Sequence, residues 1–176
     1  MTWIVMALLL VISASLQTQL PGLILLAQAK VPILLCLTLY YALFRTPSTM
    51  LACAFTAGLL QDLLSPLPIG SSVACFCLAG AAISSFRGLL QSDAVVTQLF
   101  FGGVTGLLVE GALFAVVRQM GMVACPWTWA LIKILGTGLL ATLVAPIVCF
   151  AASACDRLVG NVRGDAGLEE GDHAYI

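Results

Sequence analysis

Six apolar blocks, 2–20, 31–44, 47–64, 69–86, 94–117 and 127–155, fill most of this chain. They decide what it can fold into. A helix rises about 1.5 Å per residue, so about 20 apolar residues cross a hydrocarbon core about 30 Å thick. Charged residues make up only 9% of the 176 residues, against 61% hydrophobic, where a soluble domain carries roughly 25% charge. Too few polar side chains are present to cover a water-facing surface, so the apolar ones must face lipid. The chain reads as an all-α integral membrane protein, a bundle of six transmembrane helices over 1–155. A short acidic tail, 156–176, follows it and is expected to be disordered in the cytoplasm. The second block is short unless it borrows from 22–29, which Lys30 interrupts. Five spans result if it does not cross.

Several function classes fall away. A formal net charge of −1 offers no basic footprint for nucleic acid. Most of the seven cysteines lie in apolar runs, where cysteine packs as a small hydrophobe. Cys75-Phe76-Cys77 has no zinc-ligand spacing. The single histidine, His173, lies in the polar tail. No nucleophile elbow, zinc-protease motif or phosphate loop occurs, so no enzyme, cofactor or metal is expected. Residues 1–16 lack the basic segment of a cleaved signal and read as the start of an uncleaved first span.

Lysine and arginine favour cytoplasmic loops. With both termini in the cytoplasm, Arg45, Arg87, Arg157 and Arg163 lie inside. Lys30 and Arg118 lie outside, and Lys133 sits slightly within the last helix.

Three charges fall inside apolar blocks. Asp62 follows Pro47 by 15 residues, roughly 22 Å along a helix, which brings it near the outer boundary. Pro66 and Pro68 then stop the helix, and Gly70 frees the turn. An acid at a helix C-terminus opposes the macrodipole, so Asp62 requires a cation or a set of donors from elsewhere. Glu110 lies about 12 Å below the outer end of the fifth helix and Lys133 about 9 Å down the sixth. Matched depth on consecutive antiparallel helices predicts an intramembrane ion pair. Gly102, Gly106 and Glu110 fall four apart, one stripe on the fifth helix. The sixth answers with Gly136, Gly138, Ala141 and Thr142, small residues that allow close approach.

The run Gly58-Leu59-Leu60-Gln61-Asp62-Leu63-Leu64-Ser65, with Pro68-Ile69-Gly70, resembles the central signature of the bacterial rod shape-determining MreD family. Pro32-Ile33-Leu34-Leu35 resembles that family's opening of the second helix, and Leu143-Val144-Ala145-Pro146-Ile147 its final-helix motif. Ile33 stands where the family often has an acid, and Pro66 where it often has glycine. The resemblance implies a non-enzymatic scaffold of the cell-elongation complex in the bacterial inner membrane. Its partner would be MreC, and through it the elongation transpeptidase and the RodA glycosyltransferase, in peptidoglycan synthesis and cell-shape control. Asp62, Pro66, Pro68, Gly70, Gly102 and Gly106 are the partner-binding or structural candidates. The family is similar to the six-helix substrate-binding subunits of energy-coupling-factor transporters, so a vitamin or metal-ion transporter subunit is the alternative. Those subunits tend to carry Ala-x-x-x-Ala on the first helix, whereas here Ala7 is followed four on by Val11.

Overall fold

The computed structural model describes residues 2–19, 31–65, 68, 70–86, 95–121 and 127–158. Within them the chain forms six helices and no strand: α1 (Thr2–Gln19), α2 (Ile33–Phe44), α3 (Pro47–Leu63), α4 (Ser71–Phe86), α5 (Val95–Gln119) and α6 (Trp127–Leu158). The breaks follow local chemistry. Pro47 occupies the first turn of α3 behind an extended Thr46, where its missing N–H removes nothing. Gly121 takes a φ of 68° just past α5, the left-handed stop that glycine adopts at little cost.

Two of the helices, Val95–Gln119 and Trp127–Arg157, are long and apolar enough to cross a membrane. The others are shorter. The 12 residues of α2 extend only about 18 Å. This helix is instead the core. Every residue from Ile33 to Leu43 is buried, and α2 touches all five other helices, which close a ring around it in the order α1, α3, α4, α5, α6. A helix apolar on every face is stable only when covered on every face. Leu34, Leu37, Tyr40 and Tyr41 consequently have at most 2% of their surface exposed.

The most extensive seam is α5 against α6. A Cβ on Gly102 or on Gly106 would lie 2.6 Å from the Cβ of Ala145 or Ala141 respectively, so the two backbones approach as only glycine permits. The last helix also corrects a boundary. It continues through Leu158, which places Asp156, read above as the first residue of the tail, in its last turn and 3% exposed. The tail positions beyond Leu158, with Arg163 and His173, lie outside the described residues, as do Lys30, Arg87 and Pro66.

Candidate functional site

Asp62, near the end of α3, is 3% exposed. Its Oδ2 accepts the Gly70 N–H at 2.7 Å and its Oδ1 accepts the Ser72 N–H at 3.1 Å. Donors, not a cation, satisfy it; among the described residues it has no ion-pair partner. These N–H groups belong to the opening turn of α4 and have no carbonyl of their own helix to bond. Asp62 therefore opposes the dipole of α3 but complements that of α4, which begins nine residues later. The carboxylate acts as an N-cap supplied by the preceding helix.

The rest of the turn is built to match. Gly70 takes a φ of 100°, a conformation that disfavours a Cβ. The Ser71 hydroxyl and N–H both donate to the Pro68 carbonyl, at 2.8 and 3.2 Å. One turn back from Asp62, a Cβ on Gly58 would lie 2.5 Å from the Cα of Val73. That glycine lets α3 and α4 come close enough for Asp62 to reach the end of α4. Gly58, Asp62, Pro68 and Gly70 thus act together where α3 meets the start of α4.

At the same end of the bundle, Lys133 Nζ lies 2.9 Å from Glu110 Oε1. The side chains are 47% and 20% exposed, so the pair sits on the perimeter of α5 and α6 and not in the bundle interior. Glu110 also edges a cleft shared with Gln61 and Thr137, with room for water over about 30 Å³. One water takes about that much, whereas small-molecule pockets run to roughly 300–1,000 Å³. Beside it, Gln17 Oε1 accepts the Leu34 N–H at 3.3 Å, and Gln17 Nε2 donates to Gln61 Oε1 at 2.7 Å. The Leu34 N–H at the start of α2 is thereby satisfied by α1, whose amide α3 holds in place.

The opposite end holds a cluster that sequence reading missed. Asp156 Oδ2 accepts the Tyr40 hydroxyl at 2.7 Å and lies 2.9 Å from Arg45 Nη2. Arg45 was read only as a loop cation. A signal was available: Ala141, Ala145, Cys149 and Ala152 form the buried face of α6, and Asp156 continues it at helical spacing. Extending that face by one turn would have placed the acid against α2. The Tyr41 hydroxyl and Asp156 Oδ1 are buried with no hydrogen-bond partner among the described residues.

No known protein family, curated protein or solved structure matches the chain. Among the described residues no three His, Cys, Asp or Glu side chains are grouped to hold a metal. The polar groups at both ends share one kind of work: each carboxylate holds one helix to another.

Proposed function

We propose that this chain is a non-enzymatic, multi-pass scaffold of the bacterial cytoplasmic membrane, similar in role to MreD, that captures MreC. Through MreC it would support the elongation transpeptidase and the RodA glycosyltransferase in peptidoglycan synthesis. One observation carries the reading. Gly58, Asp62, Pro68 and Gly70, on which the family resemblance rests, act together in a single unit, the capped lip between α3 and α4. A turn capped across two helices would receive a single-pass partner with little loss of conformational entropy on docking.

Lipid exposure is supported by the outer surface. Every ring helix exposes large apolar side chains, including Leu8, Phe55, Leu78, Phe100 and Phe150, while α2 exposes none. Patches that continuous are foreign to a soluble monomer. The 18, 17 and 16 residues of α1, α3 and α4 reach about 24 to 27 Å. That is a few Å short of a typical core, a mismatch a bilayer meets by local thinning. Arg45 and Arg157 share one end of the bundle, which the cation rule assigns to the cytoplasm together with both termini. Asp62, Arg118 and Lys133 then face the periplasmic side.

The transporter alternative calls for a vitamin-sized pocket, and the cleft beside Glu110 is an order of magnitude too small. Co-purification from detergent tests the proposal. A stable complex with MreC is expected; saturable vitamin binding by the isolated chain, with no capture of MreC, would replace the scaffold reading with the transporter one.

A further inference from the structure

We propose that Arg118, in the last turn of α5 and set over Trp127 at the start of α6, binds the phosphodiester of an anionic phospholipid. The inference rests on the membrane reading above and adds a ligand to it. Arg118 lies in the last turn of α5, with its guanidinium carbon 4.0 Å from the centre of the Trp127 ring. Trp127 in turn meets Phe114 edge-on at 6.2 Å, so the ring beneath the cation is itself held by a ring of α5. Stacking occupies the flat face of a guanidinium and leaves its edge donors free. Those donors fit two phosphate oxygens at once.

At this end of the bundle, charge balance singles out Arg118. Lys133, six residues along α6 from Trp127, is met by Glu110 at 2.9 Å, and at the far end Arg45 is met by Asp156. Among the described residues no carboxylate pairs with Arg118. Depth agrees with this assignment. Trp127 and Trp129 are 61% and 56% exposed, and indole rings at a helix end settle at headgroup level. An arginine stacked on one of them is held at the level of the phosphates. It is also a cation on the side that the cation rule disfavours, where an anionic lipid would offset it.

A competing role for Arg118 is service to the C-terminal dipole of α5, which lysine would fill equally well. Native mass spectrometry of protein released from bilayers of phosphatidylglycerol and phosphatidylcholine separates the two. Wild type is expected to retain phosphatidylglycerol preferentially. Arg118→Gln should lower that preference about fivefold, the contribution of one basic residue at an anionic surface. Arg118→Lys should melt like wild type yet recover only part of the preference, because it cannot form the bidentate contact. Equal retention of both lipids by wild type, or an undiminished preference in Arg118→Gln, would overturn the assignment. Displacement of the lipid by millimolar inorganic phosphate would overturn it too, in favour of a free-phosphate site. Failure of wild type to float with phosphatidylcholine vesicles would overturn the membrane reading itself, and this proposal with it.

Discussion

The Tyr40 hydroxyl donates to Asp156 across 116 positions of sequence, at 2.7 Å, while its neighbour Tyr41 is equally buried and has no partner for its own hydroxyl among the described residues. Two adjacent tyrosines on one helix therefore carry opposite energetic signs. Tyr40→Phe should cost about 1.5–3 kcal/mol, the range for a hydrogen bond to a charged group. Tyr41→Phe removes a hydroxyl that gains nothing from burial and should leave stability unchanged or slightly higher. Thermal melting of both variants in detergent checks this, and equal losses would contradict it.

Asp62→Asn keeps the shape of the side chain but turns an amide N–H₂ toward one of the two backbone donors. A loss of about 1–2 kcal/mol, typical of a damaged helix cap, is expected, with the protein still inserted. Capture of MreC should weaken. If Asp62→Asn holds MreC as well as wild type, while Gly106→Leu abolishes capture without unfolding the bundle, the partner docks along the α5 stripe and not at the lip.

Glu110→Gln combined with Lys133→Met should be milder than the sum of the two single changes, because each single change leaves one charge uncompensated in lipid. A double-mutant cycle of detergent melting measures the coupling. Strict additivity would show that the 2.9 Å contact contributes no stability.

Glycine in a helix is about 0.5–1 kcal/mol worse than alanine where nothing else intervenes. Nothing lies within 4 Å of a Cβ built on Gly111, so Gly111→Ala should stabilise by about that amount. At Gly58 the same methyl meets backbone of α4 at 2.5 Å, which cannot swing aside as a side chain can. Gly58→Ala should destabilise by about 1–3 kcal/mol through overpacking. Paired melting curves should shift in opposite directions.

Orientation is open to direct test. In a cysteine-free background, Ser65→Cys should react with a membrane-impermeant thiol reagent from the periplasmic side. Labelling from the cytoplasm alone would invert the topology.

Much of this was legible from local pattern. The apolar blocks marked all six helices because each is bounded by glycine, proline or charge, and Glu110 and Lys133 could be matched in depth because their helices are consecutive. The architecture around α2 was not legible. Its apolar run was too short to span and carried no face pattern, since a helix covered on every side has none to show. Asp62 was recognised as out of place on α3, but its purpose belongs to α4, and a charge judged only against its own helix looks unfavourable. Arg45 and Asp156 were hidden by separation. Each sat at the end of an apolar run, where a charged residue ordinarily signals solvent, and only the folded chain brings them within 2.9 Å.

The position of α2 has a consequence for how the chain is made. The second of the described helices in chain order is the one that the ring encloses, and the acid that meets Tyr40 and Arg45 arrives 116 residues after Tyr40. At about 5–20 residues per second of synthesis, roughly 6–23 seconds pass between Tyr40 and the acid that accepts its hydroxyl. Throughout that interval α2 has to be sheltered by α1 and α3 or by a helper of the nascent chain.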